Sequence, residues 1–277
     1  AEPRGDGNVR PAELLLAHAL NCRKIELYTR FDAVPDDNAR SAFRELVRRA
    51  ADHEPIAYLV AHKEFYSLDF EVSPAVLIPR PETELLVDRA VEFCRRSGEK
   101  PVRFIDVGTG SGCIAVAILS QAKNATGVAT DVSAEALEVA QRNRDRHKLA
   151  DRLALFRADG LNLPSEALAA GRFDVLVSNP PYVPQGTLAS LSRGVRNFEP
   201  VEALCGGDDG LAFYRVFAAR AADILAPGGT IVIEIGADQR DAVVDLFDRG
   251  GRFAPGEAWR DPGGPHDRVL QFNLQKG

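Results

Sequence analysis

Apolar residues in the first part of the chain recur at the spacing of an α-helix. The repeat i, i+3, i+4, i+7 is formed by Phe43, Leu46, Val47 and Ala50. Candidate helix caps precede this repeat at Asp36, Asp37 and Asn38. The pattern predicts helices between residues 11 and 54 that Pro55 closes. We therefore expect a small helical domain over residues 1–60.

From residue 64 to residue 78 the helical spacing gives way to alternation. The alternating segment contains apolar Leu68, Phe70 and Val72 and acidic Asp69 and Glu71, as expected of a half-buried strand. We predict a β-hairpin linker over residues 61–80. The Pro-Arg-Pro-Glu-Thr-Glu segment at residues 79–84 then predicts a rigid turn into a helix that ends near residue 95.

The rest of the chain alternates short apolar segments with longer helical ones. Predicted strands cover residues 103–107, 126–130, 153–157, 173–178 and 230–235. Predicted helices cover residues 114–121, 134–147 and 211–225. Strands separated by helices of this length indicate right-handed βαβ units in a mainly parallel sheet. We therefore predict an α/β domain over residues 81–277, ending in strands at 252–259 and 268–274 joined by a loop at 261–265.

The composition is that of a mildly acidic globular chain. The 277 residues are 45% hydrophobic and 27% charged, and 34 Lys and Arg against 40 Asp and Glu give a net charge of −6. Such a chain has no bulk attraction to nucleic-acid phosphate, and neither a membrane span nor a secretory leader is evident. We expect a soluble, cytoplasmic protein with no direct nucleic-acid or membrane partner. The first residue is Ala1 and Met is absent, so we expect a trimmed start.

Neither the cysteines nor the histidines are spaced as metal ligands. The four cysteines, Cys22, Cys94, Cys113 and Cys205, form no C-x-x-C pair. The five histidines are dispersed and form no H-E-x-x-H motif. We predict reduced thiols, no disulfide framework and no metal site.

A predicted strand runs into the glycine-rich turn Gly-Thr-Gly-Ser-Gly at residues 108–112, which opens a helix. Alternate glycines allow a sharp turn and a close ligand approach, and N–H groups at the helix start suit a polar or anionic group. The spacing is G-x-G-x-G, whereas the dinucleotide fingerprint is G-x-G-x-x-G. Asp131 ends the next strand, where a carboxylate can accept both hydroxyls of a ribose. These features predict a dinucleotide or S-adenosylmethionine; the alternative is a plain turn with Asp131 as a helix cap.

The tetrad Asn-Pro-Pro-Tyr at residues 179–182 follows a predicted buried strand at the same edge of the sheet. The two prolines fix φ, so that the Asn179 side chain and the Pro180 carbonyl can both point into the cleft as acceptors. Two such acceptors can align an NH2 group on an sp2 carbon toward an electrophilic methyl, while Tyr182 offers a flat face. The tetrad therefore favours methyl transfer over hydride transfer, and S-adenosylmethionine as the cofactor. The alternative is a turn whose prolines only end an edge strand.

Eight blocks in order along nearly the whole chain resemble the HemK/PrmC family of peptide chain release factor glutamine N5-methyltransferases. They cover residues 55–59, 64–66, 77–84, 106–112, 179–182, 199–204, 206–211 and 234–236. The resemblance implies a seven-stranded, Rossmann-like class I methyltransferase domain, joined to a small helical substrate-recognition domain by a β-hairpin. It also implies methyl transfer from S-adenosylmethionine to the side-chain amide N5 of the glutamine in the Gly-Gly-Gln motif of class I release factors, with S-adenosylhomocysteine as the product.

The resemblance also implies site residues by position. The cofactor-binding residues would be Gly108, Thr109, Gly110, Ser111, Gly112, Asp131, Asp159, Gly160 and Asn179. Asp131 would contact the ribose, and Asp159 with Gly160 would lie by the adenine, where the family often has a bulky residue in place of Gly160. The glutamine amide would be held by Asn179, Pro180, Pro181 and Tyr182, of which Asn179, Pro180 and Tyr182 would be catalytic. Arg80 and Glu82 would line the cleft.

Two other functions fit parts of the pattern. An N6-adenine methyltransferase of DNA or RNA uses the same tetrad on another NH2 group, but it must unstack its base and usually adds a basic recognition region. The net charge of −6 disfavours that alternative. A regulatory module that binds the cofactor without catalysis would not need the tetrad.

Overall fold

The structure is a computed structural model that describes residues 11–261 and 263–275. Residues 1–10 of the predicted helical domain and Pro262 of the predicted tail loop lie outside the described residues. The α-helices are α1 (Pro11–Ala19), α2 (Lys24–Thr29), α3 (Asp37–Ala51), α4 (Ile56–Leu59), α5 (Glu84–Arg96), α6 (Cys113–Gln121), α7 (Ala134–Arg146), α8 (Ser165–Leu168), α9 (Arg193–Phe198), α10 (Ala212–Ile224) and α11 (Arg240–Gly250). The strands are β1 (His62–Phe65), β2 (Leu68–Glu71), β3 (Val102–Val107), β4 (Ala125–Asp131), β5 (Leu153–Arg157), β6 (Phe173–Ser178), β7 (Leu225–Glu234), β8 (Glu257–Arg260) and β9 (Asp267–Asn273). No helix within the described ranges has both the length and the apolar character needed to cross a membrane.

The N-terminal helices pack around a small apolar core. Leu15 of α1, Leu46 of α3 and Leu59 of α4 are buried together. Asp36 caps α3, because its carboxylate accepts a 2.7 Å hydrogen bond from a backbone N–H of the first turn. The prediction that Pro55 closes the helical unit is wrong. Pro55 is instead the N-cap of α4, a position that needs no N–H donor of its own.

Strands β1 and β2 pair antiparallel and form the predicted hairpin. Tyr66 and Ser67 make its two-residue turn with φ of 54° and 57°, and the left-handed conformation at both positions matches the twist of the strands. The alternation also predicted strand up to residue 78, but β2 ends at Glu71. Beyond β2, the apolar side chains of Val72, Val76 and Ile78 are buried against helix α7. The segment that carries them packs there as a loop and not as a strand.

Among the described residues, seven strands form one sheet in the order β5-β4-β3-β6-β7-β9-β8. The first five are parallel, and β9 is antiparallel to both of its neighbours. Helices α5 and α6 cover one face of the sheet, and α10 and α11 cover the other. Successive side chains of a strand point to opposite faces of the sheet, so Phe104 is buried against α5 and α6 and Ile105 against α10 and α11. The predicted α/β fold with a mainly parallel sheet is confirmed.

Three parts of the C-terminal half differ from the prediction. The strand predicted over residues 252–259 is β8 (Glu257–Arg260), because Phe253 makes only an isolated bridge with Leu274. β7 begins at Leu225 rather than residue 230, because Ala-Pro-Gly-Gly at residues 226–229 bulges out between two paired segments of the same strand. Helix α11 was not predicted, although the spacing of its buried Val243 and Phe247 is helical. All four cysteines are free thiols, as predicted.

The carboxyl ends of β4, β3 and β6 lie side by side at one edge of the sheet. The chain runs outward from β3 through β4 to β5 and then returns to place β6 on the other side of β3. This reversal between β3 and β6 is the position where open parallel sheets bind ligands. The glycine turn follows β3, Asp131 ends β4 and Asn179 follows β6, so all three meet there.

Candidate active site

A cavity of about 470 Å³ opens at this edge of the sheet. That volume is within the range of small-molecule and cofactor sites. The predicted site residues in its lining are Gly108, Thr109, Gly110, Ser111, Asp131, Asp159, Gly160, Asn179 and Pro181. Arg80, which was expected to line the cleft, does so, whereas Glu82 is not among the described lining residues. Within the described part of the chain, no cluster of His, Cys, Asp or Glu is placed to hold a metal ion.

Three predicted site residues lie outside the lining formed by the described residues. Gly112 has φ of 79°, and a Cβ at this position would lie 3.3 Å from the Cβ of Ala140, so this glycine allows α6 to begin close to α7. Pro180 is buried. The partly buried Tyr182 packs against the core on the α10 side of the sheet. Asn179 and Pro181 are therefore the two members of the tetrad that reach the cavity.

The glycine turn leaves space for a ligand, but most of its described N–H groups are already occupied. Gly108 and Gly110 have φ of 73° and 54°, and a Cβ at either position would meet no atom within 4 Å. The N–H groups of Gly108 and Thr109 both donate to the carbonyl of Thr130, at 2.9 Å, and that of Gly112 donates to Thr109. These N–H groups fix the shape of the turn itself, and Ser111 and Cys113 bring the start of α6 to the cavity.

Asp131 joins the glycine turn to helix α7. Its Oδ2 accepts from the N–H of Gly110 at 2.9 Å, and its Oδ1 accepts from the N–H of Ser133 at 3.0 Å. Burial raises the pKa of Asp131, and these two hydrogen bonds oppose that rise. The helix cap itself is Ser133, whose hydroxyl accepts from Ala136. The alternative in which Asp131 merely caps the helix is therefore wrong.

Asp106 is a buried acid beneath the glycine turn. Its Oδ2 accepts a 2.6 Å hydrogen bond from the Thr109 hydroxyl. Burial raises the pKa of Asp106 to about 7. Asp106 is fully buried and is not among the described lining residues of the cavity, so its contact with Thr109 braces the glycine turn from beneath.

Asn179 is held by a hydrogen-bonded pair that pattern analysis did not identify. Its Nδ2 donates to the hydroxyl of Thr83 at 3.1 Å, and that hydroxyl donates to Oε2 of Glu234 at 2.6 Å. Thr83 and Glu234 both belong to blocks that carry the family resemblance, but they are 151 residues apart. No periodicity or spacing connects such distant residues, so only the folded chain shows the contact.

Two further contacts hold the loops around the tetrad. Arg80 donates to Oε1 of the buried Glu199 at 2.5 Å, and this carboxylate also accepts from the N–H of Ile78. Gln239 donates to the carbonyl of Tyr182 at 2.9 Å and accepts from the N–H of Gly236. The first contact joins the loop before α5 to the segment after α9, and the second holds the backbone at the end of the tetrad. Arg80 and Glu199 lie in blocks that carry the family resemblance, whereas Gln239 lies in none of them.

Comparison with known proteins gives two matching family models and several close relatives. A model described as the PrmC N-terminal domain matches residues 5–60, and a model described as a methyltransferase small domain matches residues 83–192. A release factor glutamine methyltransferase of Nitratidesulfovibrio vulgaris is 44% identical over 236 residues, which are 85% of this chain and 78% of the relative. One of Geobacter sulfurreducens is 41% identical over 268 residues, 96% of this chain and 90% of the relative.

The fold is shared with a solved structure. The catalytic domain of human METTL16, in complex with hairpin 6 of the MAT2A 3′UTR, superposes with a TM-score of 0.60 at 16% identity. The match covers 76% of this chain and 79% of that domain. At this identity the likeness concerns the fold alone.

Proposed function

The chain belongs to the release factor glutamine methyltransferase family and is a protein-glutamine methyltransferase, and we propose that it methylates class I peptide chain release factors. The acceptor in this proposal is the side-chain amide N5 of the glutamine in the Gly-Gly-Gln motif. The methyl donor is S-adenosylmethionine, and the product is S-adenosylhomocysteine. Because a release factor acts in translation, we place the reaction in the cytoplasm.

The observation that carries this proposal is the position of Asn179 in the same cavity as the glycine turn and Asp131. The turn at residues 108–111 would hold the methionine part of the cofactor, Asp131 the ribose, and Asp159 with Gly160 the adenine. The open space above Gly108 and Gly110 is consistent with such a ligand. The tetrad lies beside this cavity, so a substrate amide would meet the cofactor there.

In this reaction the protein must orient a weak nucleophile, the side-chain amide nitrogen of the substrate glutamine. The lone pair of an amide nitrogen is delocalised, and S-adenosylmethionine, when bound, supplies a methyl group on a positively charged sulfur. The transfer breaks the carbon–sulfur bond, forms a carbon–nitrogen bond at the glutamine amide and releases one amide proton to solvent. The Asn179 side chain, which lines the cavity, would accept one amide proton and so direct the nitrogen. The Pro180 carbonyl, predicted as the second acceptor, belongs to a buried residue outside the described lining.

Transfer of a labelled methyl group tests this proposal. The protein is incubated with methyl-labelled S-adenosylmethionine and either an intact class I release factor or an adenine-containing oligonucleotide. We expect label in the release factor and none in the oligonucleotide. A release factor whose Gly-Gly-Gln glutamine is replaced by alanine is the matched control and should stay unlabelled. Label in the oligonucleotide alone would instead support the N6-adenine methyltransferase.

We further propose that the helical domain recognises the release factor, as the family resemblance implied. Four apolar side chains on α2 and the segment after it are more than half exposed, at Ile25, Tyr28, Phe31 and Val34. Phe31 and Val34 also line a cavity of about 650 Å³ among the N-terminal helices. Exposed apolar groups clustered in this way are typical of protein-binding surfaces.

Replacing Phe31 with serine is expected to raise the KM for intact release factor about tenfold. Burying a phenylalanine in an interface contributes roughly 1.5–3 kcal/mol, and 1.4 kcal/mol corresponds to a factor of ten. The kcat, and the KM for a short Gly-Gly-Gln peptide, should not change, because the reacting groups are untouched. Val47→Ser, at another exposed position of the domain, is the control. Equal KM values for Phe31→Ser and Val47→Ser would contradict the proposal that the release factor binds at Phe31.

A further inference from the structure

We propose that Thr83 and Glu234 are positioning residues that set the direction of the Asn179 side-chain amide, so that its oxygen is presented to the substrate. This inference rests on the proposed function of the site, in which Asn179 accepts a hydrogen bond from the glutamine amide. The three residues come from separate elements. Thr83 ends the turn before α5, Glu234 ends β7, and Asn179 follows β6.

The orientation of the Asn179 side-chain amide follows from the donors and acceptors in the hydrogen bonds from Asn179 to Thr83 and from Thr83 to Glu234. A carboxylate has only acceptors, so the single hydroxyl proton of Thr83 is donated to Glu234 across 2.6 Å. The Thr83 oxygen is then left with lone pairs, and it can only accept from a neighbour. The neighbour 3.1 Å away is Nδ2 of Asn179, the donor end of the amide. The acceptor end, Oδ1, is thereby left for the substrate.

The same geometry defines a second, inactive arrangement. If Glu234 carries a proton, its carboxyl group can donate to the Thr83 oxygen. The Thr83 hydroxyl then donates in the opposite direction, and it favours an Asn179 amide turned over with its oxygen toward Thr83. An NH2 group would then meet the NH2 group of the substrate glutamine, and two donors cannot pair. The charge on Glu234 therefore selects the orientation that is able to bind substrate.

The surroundings of Glu234 place this change of charge in an accessible pH range. Thr83 and Glu234 are each 2% exposed, so water does not compete for their hydrogen bonds. Burial raises the pKa of Glu234 to about 7, and the Thr83 hydrogen bond opposes that rise. The other ionisable groups around it are Arg268 on β9, Arg80 and Glu82 on the turn before α5, Tyr182 after the tetrad, Tyr214 on α10 and Cys113 on α6.

The sign of the resulting pH dependence is fixed. Glu234 loses its proton as the pH rises through about 7, so the oxygen-out orientation of Asn179 becomes more populated. The kcat of the wild-type protein is therefore expected to fall as the pH is lowered from about 8 to about 6, by roughly tenfold for one group titrating near 7.

Two substitutions of Thr83 separate positioning from packing. Thr83→Val keeps the shape of the side chain but has no hydroxyl, and we expect kcat for release factor to fall about 30-fold. Thr83→Ser keeps the hydroxyl and should retain most of the turnover. Binding of S-adenosylhomocysteine, measured by calorimetry, should be the same in both variants. A Thr83→Val kcat within threefold of wild type, or a Thr83→Ser kcat as low as that of Thr83→Val, overturns the proposal.

The pH profile of Glu234→Gln provides an independent test that does not need the valine variant to fold. A glutamine at this position does not titrate, so the fall in kcat between pH 8 and pH 6 should disappear. If Glu234→Gln keeps the same fall as wild type, Glu234 does not control Asn179 and the inference is overturned. A wild-type protein that leaves every release factor unlabelled contradicts the proposed function instead, so the two failures are distinguishable.

Discussion

Replacing Asn179 with alanine is expected to lower kcat for glutamine methylation by about a thousandfold. The substitution removes the side-chain acceptor that would align the glutamine amide, and deleting one such positioned group costs about 10²–10³ in kcat. The fold should persist, because Asn179 lines the cavity rather than the core, and its side chain donates to Thr83. Single-turnover methylation of a release factor measures the effect.

The control for this variant is Asn162→Ala. Asn162 is an exposed asparagine that accepts from Arg220. Its loss should leave kcat unchanged. The affinity of Asn179→Ala for S-adenosylhomocysteine, measured by calorimetry, reports separately on the part of this residue in holding the cofactor. A kcat for Asn179→Ala close to that of Asn162→Ala would show that the tetrad does not position the substrate as argued.

Replacing Asp131 with alanine is expected to weaken cofactor binding about 100-fold. The carboxylate would accept the ribose hydroxyls, and it also holds the N–H groups of Gly110 and Ser133. A hydrogen bond to a charged group contributes about 1.5–3 kcal/mol, and roughly 2.7 kcal/mol corresponds to a factor of 100. The affinity for S-adenosylhomocysteine, measured by calorimetry, is the relevant quantity.

Asp241→Ala is the matched control, because Asp241 has the same side chain in a nearly fully exposed position on α11. It should bind S-adenosylhomocysteine as the wild type does. If Asp131→Ala binds within threefold of Asp241→Ala, the carboxylate only braces the glycine turn. The ribose would then need another partner in the cavity.

The sequence predicted the sheet well for a physical reason. A strand buried on both faces is a short, continuous apolar segment, and β6 begins and ends at the predicted residues. The edge strand β5, which is only partly buried, also has the predicted bounds. The prediction of strand bounds failed at a bulge, which interrupts the apolar segment of a strand, and at a buried loop, whose apolar residues alternate as in a strand. The residues at 226–229 interrupt the pattern of β7, and Val72 and Val76 alternate without belonging to a strand.

The sequence also predicted which segments meet at the site, because parallel strands place their carboxyl ends at one edge of the sheet. This argument placed the glycine turn, Asp131 and Asn179 together, and all three line the cavity. It could not show that most N–H groups of the glycine turn donate hydrogen bonds within the protein, or that Tyr182 lies outside the described lining of the cavity. Contacts such as Thr83 with Glu234 depend on tertiary packing, which local pattern does not encode.

The measurement that tests the central claim most directly is the location of the transferred methyl group. Release factor treated with the protein and S-adenosylmethionine is digested, and the Gly-Gly-Gln peptide is analysed by tandem mass spectrometry. We predict one added methyl group on the side-chain nitrogen of the glutamine with the wild-type protein, and almost none with Asn179→Ala. An unmodified Gly-Gly-Gln peptide, with the methyl group on another residue or on adenine in an oligonucleotide, would contradict the account.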